Sequence, residues 1–224
     1  AALIPTAASG SNSNNVIESN TIQNVNAGIV FAGYGAPTPF TLGDQMNIVG
    51  GTTALAGNSI LNFGGATAAT NPATGVFASN QWDMTCSYNT INNNNGSGVN
   101  HVSTLRGIFL NASSTSASVN CNNNNITIHG GGTTSQISCI ENSFGSTAAG
   151  NTVNLSNNTI TGSYLTATTG AFYGIYSTST AANVNILNNT VSGINYGVIA
   201  NTGTGVIYPI WNSGATANLS VRNN

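Results

Sequence analysis

Aliphatic and polar residues alternate over short stretches of this chain, and the stretches themselves recur. Each closes on one phrase, Asn, a polar residue, then Ile or Val: Asn20-Thr21-Ile22, Asn58-Ser59-Ile60, Asn89-Thr90-Ile91, Asn124-Asn125-Ile126, Asn158-Thr159-Ile160 and Asn189-Thr190-Val191. The closing anchors Ile22, Ile60, Ile91, Ile126, Ile160 and Val191 lie 38, 31, 35, 34 and 31 residues apart. Five residues ahead of them stand Ile17, Leu55, Cys86, Cys121, Leu155 and Ile186, and seven ahead stand Asn15, Thr53, Met84, Val119, Val153 and Val184. Apolar positions two apart mark a strand with one buried face. A fixed phrase at a long, variable interval marks a solenoid whose coils differ in their turns.

The pattern predicts an all-β fold, a single-stranded right-handed parallel β-helix of about six to seven coils of 31–38 residues. It spans 15–224, after a polar segment or linker over 1–14. The handedness follows because parallel strands joined by crossovers wind right-handed. Equivalent residues of successive coils then stand about 4.8 Å apart. The anchors, with Ile17, Leu55, Cys86, Cys121, Leu155 and Ile186, become an aliphatic stack. Asn20, Asn58, Asn89, Asn124, Asn158 and Asn189 become an amide ladder at a corner, with Asn224 in the seventh slot, because Asn tolerates left-handed torsions and its amide both donates and accepts.

A second phrase falls once per coil and reads as another strand: Gly28-Ile29-Val30, Gly75-Val76-Phe77, Gly107-Ile108-Phe109, Cys139-Ile140-Glu141, Gly174-Ile175-Tyr176 and Gly197-Val198-Ile199. Its last residue points outward, so Val30, Phe77, Phe109, Tyr176 and Ile199 form a candidate contact stripe, of the kind that meets a partner. Two longer spans, Ala32 to Gly51 and Asn201 to Thr216, read as excursions packed over the side. The chain stops part-way through a further phrase and looks cut from a longer one.

Composition narrows the chemistry. Hydrophobic residues make up 40% of the chain, enough for a core, but only 3% are charged, with no lysine, against about 25% in a typical domain. Two arginines and a net charge of −2 give no basis for binding nucleic acid or an anionic membrane surface. No apolar run approaches the roughly 20 residues needed to cross a bilayer, so membrane insertion is not expected. Glycoside hydrolysis needs two carboxylates within about 10 Å. Here Glu18, Asp44, Asp83 and Glu141 fall in different coils, and stacking brings only Asp83 near an arginine, Arg106. No catalytic residue, cofactor or metal is expected, and His101 and His129 read as solvent-exposed loop residues. Cys86 and Cys121 share a column, which leaves two readings open, a disulfide or two small buried hydrophobes.

The segments Leu155-Ser156-Asn157-Asn158-Thr159-Ile160-Thr161-Gly162 and Ile186-Leu187-Asn188-Asn189-Thr190-Val191-Ser192-Gly193 resemble the β-helix repeats of the pectate-lyase-like superfold. The lysine-free, Asn/Thr/Gly/Ala-rich style is similar to that of the large surface proteins of Bacteroidota exported by the type IX secretion system. The resemblance implies a secreted or cell-surface, non-catalytic structural or adhesive segment. Its partners would be glycans, other cell-surface or secretion-system proteins, or further copies meeting end to end. Other classes remain: a carbohydrate-binding or polysaccharide-degrading β-helix whose catalytic part lies elsewhere, a filament subunit, or an ice- or surface-binding solenoid. The last needs a flat Thr-x-Thr array, and Thr152, Thr159 and Thr161 do not extend into one by sequence.

Overall fold

The structure, a computed structural model, describes residues 4–37, 40–64, 73–95, 101–111, 118–130, 132–146, 148–166, 169–196 and 203–224. Short alternating stretches form short strands, and each coil spends three of them on three long parallel sheets. Sheet A stacks Val16–Ile17, Ile48–Gly50, Met84–Ser87, Val119–Asn122, Thr152–Ser156, Asn183–Leu187 and Asn218–Arg222. Sheet B stacks Thr21–Gln23, Ser59–Leu61, Thr90–Asn92, Asn125–Gly130, Thr159–Tyr164 and Thr190–Val191. Sheet C stacks Ala27–Ala32, Ala73–Ser79, Leu105–Asn111, Ile137–Asn142, Ala171–Ser177 and Val206–Asn212. Among the described residues every strand pairs with strands of the coils before and after it and none with its neighbour in sequence. The result is a right-handed parallel solenoid of about five full turns, a little under the six to seven expected. The shortfall lies at the ends, where the first coil opens on strands of two and three residues and the seventh is one strand of sheet A.

The interior is a stack of like on like. In sheet B the anchors pair in register, Ile22 with Ile60, Ile60 with Ile91, Ile91 with Ile126, Ile126 with Ile160 and Ile160 with Val191. In sheet A the column runs Ile17, Val49, Cys86, Cys121, Leu155, Ile186 and Val221. Leu55 is not in it. It lies on a 3-10 turn, Ala54–Ala56, and is 91% exposed. The expectation failed because spacing was counted back from the anchor, whereas this coil inserts a loop over 51–57 between sheet A and its corner.

The supposed excursions are likewise parts of the stack. Ala32 to Gly51 contains the sheet A strand Ile48–Gly50 and Asp44–Gln45, which pairs with Gln81–Trp82. Asn201 to Thr216 contains the last sheet C strand, Val206–Asn212, in register with Ala171–Ser177. Gly197-Val198-Ile199 lies outside the described residues. The residue that pairs with Tyr176 is Trp211.

Glycine in the second phrase lets sheet C close against the anchors. A Cβ at Gly75 would stand 2.7 Å from Ile91 Cγ2 and from the Gly107 carbonyl oxygen, too close for ordinary contact. Asn12 and Asn15, at the edge of the polar 1–14 segment, bond across to the next coil, Asn12 N–H to Asp44 at 2.9 Å and Asn15 N–H to Asn47 Oδ1 at 2.9 Å.

Candidate functional site

Three arrangements of side chains repeat from coil to coil. The first is the amide file between sheets A and B. The backbone N–H and Nδ2 of Asn89 both donate to Asn124 Oδ1 at 3.0 Å, and those of Asn124 both donate to Asn158 Oδ1 at 3.0 Å. The second Nδ2 hydrogen of Asn124 reaches back to the Cys86 carbonyl at 2.9 Å. Both lone pairs and both hydrogens of that amide are therefore used inside the fold. The same bonds link Asn20 to Asn58, Asn58 to Asn89, Asn158 to Asn189 and Asn189 to Asn224. The left-handed torsion expected of these asparagines sits one residue earlier, at Ser19, Tyr88, Asn123, Asn157, Asn188 and Asn223. A shorter file that sequence reading missed joins Asn15 to Asn47 and Asn47 to Gln81.

The second arrangement is the outward face of sheet C. Its register aligns Val30, Phe77, Phe109, Glu141, Tyr176 and Trp211 in one file, and Arg106, Ser138, Tyr173 and Tyr208 in the neighbouring one. Val30 and Trp211 are exposed, and Phe77, Phe109 and Tyr176 are half-buried. Glu141 is buried. Its carboxylate accepts from Arg106 Nε at 2.7 Å and Gln136 Nε2 at 2.9 Å. Arg106 therefore pairs with Glu141 of the next sheet C strand and not with Asp83, which follows the strand Gln81–Trp82 outside that sheet, so coil stacking sets a different partner from the one expected. Its guanidinium also lies 4.0 Å from the centre of the Phe109 ring, a cation–π contact.

Aromatic rings continue the face toward the C-terminal coils. Phe77 and Phe109 lie 5.5 Å apart. Tyr173 stacks with Tyr176 at 4.6 Å and with Tyr208 at 5.3 Å, and Trp211 meets Tyr208 edge-on at 4.4 Å. Burial, then the Tyr176 and Tyr208 phenols and the Glu141 carboxylate, push the Tyr173 phenol above its ordinary range. This end of the stripe escaped the sequence reading because Tyr173 and Tyr208 sit outside the second phrase and Trp211 was assigned to an excursion.

The third arrangement is the outward face of sheet B. The remaining candidates carry less. His101 is fully buried, and His129, inside the sheet B strand Asn125–Gly130, is half-buried with Nδ1 2.8 Å from Ser163 Oγ, so neither is a solvent-exposed loop side chain. Cys86, Cys121 and Cys139 are buried free thiols. The neighbouring Cys86 thiol and burial push Cys121 well up, and burial alone does so for Cys139. Asp44 is buried, with its carboxylate on the Asn12 N–H. Among the described residues no three of His, Cys, Asp and Glu gather as metal ligands. In comparisons with protein-family models, with curated proteins and with solved structures, the chain matches none of them.

Proposed function

We propose that this chain is a non-catalytic, extracellular solenoid segment of a larger secreted or surface protein, and that the outward face of sheet C holds neutral glycans. The reading rests on one observation, the aromatic cluster Tyr173, Tyr176, Tyr208 and Trp211 on a face whose charges, Arg106 and Glu141, pair with each other. Aromatic side chains offer apolar area to the C–H faces of sugar rings, and phenol and indole groups offer hydrogen bonds to hydroxyls. The one carboxylate on the face, Glu141, is held by Arg106 and Gln136, an arrangement that serves shape rather than proton transfer. The repeat style supports a place among the type IX-exported surface proteins of Bacteroidota, with a structural or adhesive role.

The test is retention on insoluble cellulose, chitin and xylan, with soluble oligosaccharides titrated against tryptophan fluorescence. The native chain should be retained by at least one of these. Tyr176→Ala with Trp211→Ala should release it while leaving the circular dichroism unchanged. Retention on none, or equal retention of the double variant, overturns the reading.

A further inference from the structure

Sheet B turns two files of side chains to solvent. The first runs Thr21, Ser59, Thr90, Asn125, Thr159 and Thr190, in register from coil to coil. All but Ser59 are exposed. Two residues along each strand, the second file runs Gln23, Leu61, Asn92, Thr127 and Thr161, and the Ser192 N–H bonded to the Ile160 carbonyl carries it one step further. Thr159 and Thr161, which look isolated in the sequence, are thus one rung of a two-file lattice. The coils lengthen and shorten only in their turns, so a spacing that varies in sequence is constant in space.

The lattice has the dimensions of the sheet beneath it. Equivalent groups repeat about 4.8 Å across the coils and about 6.7 Å along each strand. Neither file holds an Asp, Glu, Lys or Arg, and neither holds an aromatic ring. Where two threonines meet in the second file, Thr127 and Thr161, their hydroxyls are 3.0 Å apart, so the sheet fixes hydroxyl to hydroxyl at hydrogen-bond distance. The anchors behind, Ile60, Ile91, Ile126 and Ile160, are completely buried, and close packing of this kind holds the rows in place.

From this geometry we infer that the outward face of sheet B binds the surface of ice. A threonine presents a hydroxyl that anchors a water and a methyl group around which neighbouring waters order. Rows of such groups at fixed spacings of a few ångströms hold water at intervals of the same size as the oxygen repeats in ice planes. Charges would pull those waters out of that arrangement, and neither file carries a charged side chain. A crystalline polysaccharide is the other flat lattice it could meet, but sugar rings call for apolar plates to lie on, and these files offer no ring. The inference is independent of the glycan reading, which rests on a different sheet.

Ice recrystallisation in a frozen sucrose solution, together with crystal shape during slow growth, tests it. The native chain should keep crystals small and faceted. Thr90→Lys with Thr159→Lys should let them coarsen as in buffer alone, with circular dichroism and melting temperature unchanged. Trp211→Ala should stop crystals as well as the native chain does, while losing any polysaccharide. Failure of the native chain to restrain ice overturns the inference, and so does full activity of the threonine double variant. Loss of cellulose retention in that variant but not in Trp211→Ala would give sheet B to a polysaccharide instead, and would equally overturn it.

Discussion

Equivalent residues in the middle and at the ends of the solenoid occupy the same register yet live in different surroundings. Ile91, Ile126 and Ile160 are completely buried, and so are Cys86, Cys121 and Leu155 beside them. In the first coil Ile17 and Ile22 are only partly covered, and at the far end Val221, in the column of Leu155, is 45% exposed. The phrase is the same in each case; what differs is whether a coil lies on both sides. Stability in such a stack is a sum over neighbouring coils, not a property of the repeat alone.

The largest effect that would break this comparison comes from the core. Ile126→Ala removes a buried side chain with an anchor above and below it and should cost about 2–5 kcal/mol by the usual figures for buried aliphatic truncation. Ile22→Ala, partly exposed, should cost well under half as much. Urea unfolding of the two variants measures the difference, and equal losses would mean that end coils are as tightly held as middle ones.

The ladder offers the next largest effect. Asn124→Ala strands the buried N–H of Asn89, removes one acceptor of its Nδ2 and takes the amide donor from the Cys86 carbonyl. At about 1–3 kcal/mol for each buried polar group left unpaired, a loss of roughly 2–4 kcal/mol is expected. Asn20 is exposed and donates to Asn58 Oδ1 and the Glu18 carbonyl, which water can reach once it is gone. Asn20→Ala should therefore cost less than about 1 kcal/mol. Differential scanning calorimetry of the pair sharpens the comparison, since propensity changes alike in both.

The sequence made the fold, the anchors and the amide file legible because each depends on a local phrase that every coil must contain. Its failures share one cause. Leu55 was placed in the core by counting through a loop, and Trp211 was left off the stripe by following the nearer Gly197-Val198-Ile199. The Arg106–Glu141 pair and the threonine files of sheet B were missed for the same reason, because which residue lies above which is decided by register and not by distance along the chain. Where turn length varies, period arithmetic loses the register that backbone pairing keeps.

The smallest predicted effect separates the middle from the ends by pH. His129 lies in a middle strand of sheet B with Nδ1 against Ser163 Oγ, and burial lowers its pKa from 6.5. The folded chain therefore favours neutral imidazole, and the unfolded chain binds more protons between the folded value and 6.5. Stability from this group is fully present above 6.5 and is lost as pH falls through that window. Acidification should speed hydrogen exchange at the paired amides of Asn125–Gly130 and Thr159–Tyr164 while leaving Thr21–Gln23 at its already faster rate. His129→Gln should remove the acid-dependent part and leave the neutral rates close to native. Acid sensitivity that persists in His129→Gln would assign it to another group, and an equal response in the first coil would show that middle and end coils open together.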